Sequence, residues 1–142
     1  MLTGKFRTEH LPSMRALLPV FVLCLGASLG ALARWQLGLW LNTGATWVPL
    51  GTLAANLAGG LVVGVLIAVF QAHPEIDPLW RLALITGFLG ALTTFSTFSA
   101  ETVQLLLADR PGQALSLAAI HLIGSLGLTW VGLKATVWWL AR

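Results

Sequence analysis

Charged side chains are scarce in this chain of 142 residues. Asp, Glu, Lys and Arg together make up 9% of the residues, whereas hydrophobic types make up 57%. A soluble globular domain carries about 25% charged residues, so the composition excludes that class and predicts an integral membrane protein. The net charge is only +3 and no basic run occurs, so the sequence has no electrostatic basis for binding nucleic acid.

Cysteine is nearly absent as well. The single Cys24 lies inside an apolar stretch, so the sequence offers neither a disulfide framework nor a thiol pair for a metal. It also contains no nucleophile and base arrangement, no phosphate-binding loop and no cluster of metal ligands. These absences argue against an enzyme.

Four apolar stretches are long enough to cross a membrane, since a hydrocarbon core of about 30 Å requires about 20 helical residues. They are residues 19–41, 50–71, 80–108 and 114–140, and turn-forming Asn, Gly, Asp and Pro lie between them. The predicted fold class is an all-α membrane protein in which residues 19–142 form one domain of four transmembrane helices.

Residues 1–18 are predicted to be a disordered tail, and Met14 is an alternative start. The apolar stretch that follows runs on to Arg34 without a small-residue cleavage site, so we expect a retained helix rather than a signal peptide. Basic residues are predicted on one side at Lys5, Arg7, Arg15, Arg81 and Arg142, and toward the other at Arg110 and Arg34. This predicts cytoplasmic termini. Without the three in the tail the bias nearly vanishes, so the chain is able to insert in either orientation.

The third stretch contains the most unusual segment, GFLGALTTFSTFSAE, from Gly87 to Glu101. Gly87 and Gly90 weaken a helix, and the hydroxyl side chains that follow can bond to nearby carbonyls. Freed backbone groups are tolerable at membrane depth only beside protein or a water- or ion-filled path. The sequence therefore predicts a third helix that is broken, with carbonyls available to a cation.

Three residues beyond the predicted break recur at intervals of three and share a helix face: Phe95, Phe98 and Glu101. Aromatic ring edges are electropositive, so two rings presented edge-on can contact an anion. Plain packing is the commoner role of phenylalanine, and the residues alone leave both interpretations open.

Polar residues on the first two helices also have two interpretations each. Arg34 lies about two-thirds of the way along its stretch, where it either lines a vestibule that attracts anions or is a structural arginine. Thr52 and Asn56 share one helix face. The Asn56 amide either donates to an anion or joins helices by hydrogen bonds.

The fourth helix carries His121, Ser125 and Thr129 at intervals of four, a track that either passes a small ion or is structural. Small residues recur at the same interval in two pairs, Gly26 with Gly30 and Gly60 with Gly64. Such pairs let helix backbones approach closely. The sequence leaves open whether they do so within one chain or between subunits.

Three segments together resemble the Fluc, or CrcB, family of bacterial fluoride channels: GASLGALARW (26–35), GTLAANLAGGLVVG (51–64) and GFLGALTTFSTFSAET (87–102). The resemblance extends over all four helices, and the TTFSTFS motif is highly specific. It implies a passive channel that exports fluoride across the bacterial inner membrane. It also implies an antiparallel, dual-topology homodimer with two pores and a structural sodium ion at its centre, held by the backbone carbonyls of Gly90 and Thr93.

The same resemblance implies which side chains border the fluoride path: Arg34, Thr52, Asn56, Phe95, Phe98, Glu101, His121 and Ser125. It favours the anion-donor interpretation of Asn56. The chain departs from the family pattern at Leu117 and His121, where relatives have a tyrosine and a serine, and at Ala91, where family members often have a second glycine.

Two other classes of function remain as alternatives. Small proton-coupled exporters of cationic drugs also have four helices and dual topology, but they need a carboxylate on the first helix. This chain has none there, and Glu101 is its only carboxylate within the four stretches. A membrane assembly factor that transports nothing would carry no ion flux.

Overall fold

The computed structural model describes residues 14–44 and 46–142, and all regular secondary structure within them is helical. The elements are α1 (Met14–Leu41), α2 (Leu50–Ala72), α3 (Pro78–Arg81), a π-helix (Leu82–Leu89), α4 (Gly90–Leu92), α5 (Phe95–Leu107) and α6 (Pro111–Leu140). Most of the predicted tail, residues 1–13, lies outside the described residues.

Four stretches of this structure are long and apolar enough to cross a membrane: Leu17–Leu41, Leu50–Ala72, Pro78–Leu107 and Pro111–Leu140. The four predicted spans are confirmed, and their ends differ from the prediction by at most three residues. Length and hydropathy suffice for this because a span must keep its backbone hydrogen bonds inside the helix.

Residue types at the helix ends explain where the chain turns. Asp77 precedes α3 and its Oδ1 accepts from the Leu79 N–H at 2.8 Å, with Pro78 at the first helical position. After α5 the chain reverses at Asp109, whose φ of 55° is left-handed. The Arg110 N–H then donates to the Leu105 carbonyl at 2.9 Å, as in a Schellman ending, with Asp in the place that glycine usually takes.

Glycines on α1 set its distance from the third span. A Cβ added at Gly26 would collide with the Ala83 carbonyl oxygen, and one at Gly30 would collide with the Phe88 carbonyl oxygen. The two backbones therefore touch directly, and because both contacts advance in the same direction, α1 and the third span run parallel.

The second glycine pair joins α2 to α6 in the same way. A Cβ at Gly60 would lie 2.9 Å from the Ser125 carbonyl oxygen, and one at Gly64 would collide with the Thr129 carbonyl oxygen. Gly132 on α6 returns the contact, since its added Cβ would collide with the Leu61 carbonyl oxygen. Both small-residue pairs are therefore used within the chain.

The apolar core is small and lies where α2 meets the middle of the third span, around Ala55, Leu89 and Leu92. Large apolar side chains face outward along much of α1 and α6, among them Phe21, Leu25, Leu29, Leu32, Leu115, Leu122, Ile123 and Leu126. In a membrane such faces meet lipid or another protein, since neither requires a polar surface.

Candidate functional site

The third span changes its backbone conformation in its middle. The π-helix Leu82–Leu89 is followed by the single turn of α4, and Thr93 and Thr94 are then extended, with ψ of 153° and 117°. Helix α5 begins directly afterwards, because the Thr94 hydroxyl accepts from the Thr97 N–H at 3.1 Å. The Thr93 N–H still donates to the Leu89 carbonyl at 2.9 Å, whereas the Thr94 N–H does not donate within the helix. Regular helical hydrogen bonding is therefore interrupted at Thr94.

Asn56 on α2 holds this extended segment. Its Oδ1 accepts from the Thr94 N–H at 2.7 Å, and its Nδ2 donates to the Thr94 carbonyl at 3.1 Å. The amide side chain therefore bonds the backbone of Thr94 on both sides. Its other Nδ2 hydrogen points to His121 Nδ1 on α6, at 3.0 Å. A single residue connects three elements, as the helix-joining interpretation of Asn56 predicts.

A cavity of about 380 Å³, here named the aromatic cavity, opens beside this junction. Its lining includes Asn56, Gly90, Thr93, Thr94, Phe95, Phe98, His121 and Ser125. Phe95 and Phe98 meet edge to face, with ring centroids 5.4 Å apart and an angle of 70°. Phe98 stacks on the His121 ring at 4.8 Å. The structure therefore brings together five of the eight predicted pathway residues.

The other three line a second cavity of about 320 Å³, here named the arginine cavity. Its lining includes Arg34, Thr52 and Glu101, together with Thr94 and Thr97. The Thr52 hydroxyl donates to Glu101 Oε1 at 2.6 Å, while Oε2 is buried without a hydrogen-bond partner among the described residues. Arg34 Nε donates to the Ala91 carbonyl at 3.0 Å, just before the extended segment.

Thr94 lines both cavities, so the extended segment lies where they adjoin. The Thr94 hydroxyl is among those that the sequence places after the glycines, but the sequence does not predict Thr94 as a site residue. The signal was available, because threonine immediately before a helical stretch is one of the residue types preferred at a helix N-cap. The pairing with Asn56 had no such signal, since it joins residues 38 apart.

The predicted track on α6 is only partly at the cavity. His121 and Ser125 line the aromatic cavity, whereas the Thr129 hydroxyl donates to the Ser125 carbonyl and lies against Gly60. Leu117, one turn before His121, is fully buried in the helix packing. Lys134 is a charged residue of this span that the sequence interpretation overlooked; it is exposed, 5.9 Å from the Trp130 ring centroid.

The two carbonyls predicted to bind sodium have lost their helical donors. The partner of the Gly90 carbonyl in a continuous helix would be the Thr94 N–H, which donates to Asn56 instead. The partner of the Thr93 carbonyl would be the Thr97 N–H, which donates to the Thr94 hydroxyl. Both carbonyls are hard oxygen donors of the kind an alkali cation prefers, so the residues present fit the ion.

Comparison with known proteins places this sequence in a family. The family model described as CrcB-like protein, Camphor Resistance (CrcB), matches residues 21–133. A protein of Variovorax paradoxus named Fluoride-specific ion channel FluC is 62% identical over 119 residues, which cover 84% of this chain and 94% of that protein.

Further relatives with the same name align along nearly their whole length. The protein of Albidiferax ferrireducens is 59% identical over 128 residues, covering 90% of this chain and 98% of its own. The protein of Pseudomonas aeruginosa is 53% identical over 123 residues, covering 87% and 97%. With a family match over most of its length and relatives at this level of identity, the chain belongs to the CrcB family.

Proposed function

We propose that the chain is a fluoride-selective channel that lets fluoride leave the bacterial cytoplasm passively across the inner membrane. The observation that carries the proposal is the aromatic cavity, in which the edge-to-face phenylalanines adjoin the polar groups of Asn56, His121 and Ser125. Relatives named fluoride-specific ion channels support the identity of the ion.

Fluoride is a small, strongly hydrated ion, so its passage depends on replacing water. Moving an ion into a poorly polar medium without new partners is prohibitive, whereas several weak sites in sequence allow both entrance and release. The ring edges of Phe95 and Phe98 and the hydroxyl of Ser125 provide contacts of this kind. Asn56 lines the same cavity, and the N–H that it directs to His121 is one that a passing anion can share.

The arginine cavity is the entrance to this path in our proposal. Arg34 supplies positive charge there, which attracts an anion and offsets the Glu101 carboxylate in the same cavity. The Thr52 hydroxyl orients that carboxylate by its 2.6 Å hydrogen bond. Thr94, which lines both cavities, marks the point where the ion moves from the charged entrance to the aromatic section.

The path requires a second subunit, in the form of an antiparallel homodimer. Phe95 is 78% exposed in the single chain although it borders the aromatic cavity, and large apolar side chains on α1 and α6 also face outward. A partner covering this face would enclose the cavity and exclude lipid. The carbonyls of Gly90 and Thr93 would hold a structural sodium ion at the dimer centre, where the ion supplies fixed positive charge and joins the subunits.

A direct test measures fluoride efflux from proteoliposomes with a fluoride electrode, with chloride efflux as the selectivity control. The proposal expects rapid, passive fluoride efflux that needs no proton gradient and little chloride efflux. Flux that requires a proton gradient and carries cationic drugs would identify an exporter instead. Absence of any ion flux from folded protein would favour an assembly factor.

Phe98→Ile should abolish fluoride efflux while leaving the folded assembly intact. Isoleucine fills much of the same volume but has no electropositive ring edge, and it cannot stack on His121 as Phe98 does. Phe21→Ile is the matched control, since Phe21 is 65% exposed on α1 and lines neither cavity. Unchanged efflux in Phe98→Ile would refute a direct role for that ring.

A further inference from the structure

His121 has a polar atom that the hydrogen bonds of the structure leave unused. The residue is only 3% exposed, and its Nε2 is buried without a hydrogen-bond partner among the described residues. Buried polar atoms are almost always paired, so an unpaired one on the wall of a cavity calls for a ligand. His121 lines the aromatic cavity, where Phe98 stacks on its ring and Ser125 lies one turn further along α6.

The hydrogen bonds of Asn56 determine which nitrogen of His121 carries the proton. The Thr94 backbone N–H can only donate, so the atom of Asn56 that faces it at 2.7 Å must be the amide oxygen. The amide nitrogen then faces the Thr94 carbonyl and His121 Nδ1. If the amide were flipped, its NH₂ group would face the Thr94 N–H and its oxygen would face the Thr94 carbonyl oxygen, so neither hydrogen bond could form.

Since Asn56 donates to Nδ1, that nitrogen must hold a lone pair, and the ring must be neutral with its proton on Nε2. An imidazolium, or the other neutral tautomer, would place an N–H against the Asn56 N–H. The unpaired buried atom is therefore a donor, Nε2–H. A donor without an acceptor, on the wall of a cavity that the Phe95 and Phe98 rings also line, suits a small anion and does not suit a cation.

We infer that His121 contacts the permeating anion through Nε2–H, and that Asn56, tethered to Thr94, fixes the tautomer that makes this donor available. The inference rests on the proposed function and adds a residue role to it. His121 is thus an anion-contacting residue, and Asn56 positions it. A merely structural histidine would need only Nδ1, which joins α6 to α2.

Two substitutions separate the two nitrogens of the ring. An asparagine side chain places its amide near the position of Nδ1, whereas a glutamine side chain places its amide near Nε2. His121→Asn therefore keeps an acceptor for Asn56 and loses the cavity donor, and His121→Gln does the reverse. We expect His121→Gln to lose less fluoride efflux than His121→Asn, because it keeps the donor in the cavity. In His121→Asn we expect a loss of about tenfold or more, the change that corresponds to losing one hydrogen bond to a charged group.

The opposite order, with His121→Asn active and His121→Gln inactive, would overturn the inference and leave His121 a purely structural partner of Asn56. Equal efflux in both folded variants would overturn it as well. Wild-type protein without fluoride efflux would instead refute the proposed function, so the two failures are distinguishable.

A measurement on the unaltered protein does not depend on the variants folding. In protein labelled with ¹⁵N-histidine, the nitrogen shifts of His121 should show a neutral ring protonated at Nε2, with the assignment taken from the signal missing in His121→Gln. Fluoride should move the Nε2–H proton resonance, while chloride should leave it unchanged. A proton on Nδ1, or no response to fluoride under conditions where the protein conducts, would overturn the inference.

Discussion

At the scale of single residues, Asn56 determines the hydrogen bonding of the candidate site. Its Oδ1 replaces the helical acceptor that the Thr94 N–H lacks, while its amide nitrogen donates to the Thr94 carbonyl and directs its remaining hydrogen to His121. The sequence located Asn56, Phe98 and Glu101 because intervals of three and four define helix faces. It could not pair Asn56 with Thr94, because that contact joins α2 to the extended segment of the third span, 38 residues away, and leaves no periodic signal.

Asn56→Asp should reduce fluoride efflux by about tenfold or more. The aspartate can still accept from the Thr94 N–H, but it cannot donate to the Thr94 carbonyl or to His121 Nδ1. Losing one such hydrogen bond costs about 1–3 kcal/mol, and about 1.4 kcal/mol corresponds to a factor of ten in rate. The measurement is electrode-detected efflux from proteoliposomes.

The control for this variant is Gln71→Glu, the same amide-to-acid change at an exposed position near the end of α2. It should conduct like wild type. Wild-type efflux from Asn56→Asp would show that neither N–H of Asn56 matters for conduction, and would leave the residue only its bond to the Thr94 N–H.

At the scale of elements, hydropathy predicted the four spans well, but it gave no information on their internal geometry. The residues of Leu82–Leu89 are equally compatible with an α-helix, so nothing in the sequence indicates that this segment is a π-helix. The glycine pairs were identified from their spacing, yet their partners were not. Gly26 and Gly30 contact the third span, and Gly60 and Gly64 contact α6; spacing shows only that a neighbour is close.

Gly64→Ala should destabilise the bundle. The added methyl group would collide with the Thr129 carbonyl oxygen and lie 2.9 Å from the Leu133 nitrogen, both parts of a backbone that cannot turn aside. Overpacking of this kind costs about 1–3 kcal/mol. The expected result is a lower midpoint of thermal unfolding in detergent, followed by the loss of the monodisperse peak on size-exclusion chromatography.

Gly127→Ala is the matched control for that substitution, since an added Cβ there meets nothing within 4 Å beyond the neighbouring backbone of its own helix. Alanine also favours a helix over glycine by about 1 kcal/mol, so the midpoint should stay the same or rise. Equal midpoints for Gly64→Ala and Gly127→Ala would contradict the close α2–α6 contact described above.

At the scale of the whole molecule, charge decides how the chain sits in the membrane. Within the described residues, four basic residues lie toward the end of the bundle where α1 begins and α2 and α6 finish: Arg15, Arg81, Lys134 and Arg142. Arg34 and Arg110 lie toward the other end. Lys134, which the sequence analysis did not include, adds to the positive charge at the end where α6 finishes. Four against two remains a weak bias under the positive-inside rule, which is the condition that a dual-topology homodimer requires.

The orientation can be measured with one cysteine at the end of α6. In a Cys24→Ser, Ala141→Cys double variant, a membrane-impermeant maleimide applied to intact cells should label roughly half of the chains, and all of them after permeabilisation, because a weak bias permits both insertions. Adding Lys134→Gln and Arg142→Gln removes positive charge from that end, so the labelled fraction should rise. Labelling of all chains or of none before these charges are removed would contradict dual topology, and with it the antiparallel dimer in which Phe95 is covered.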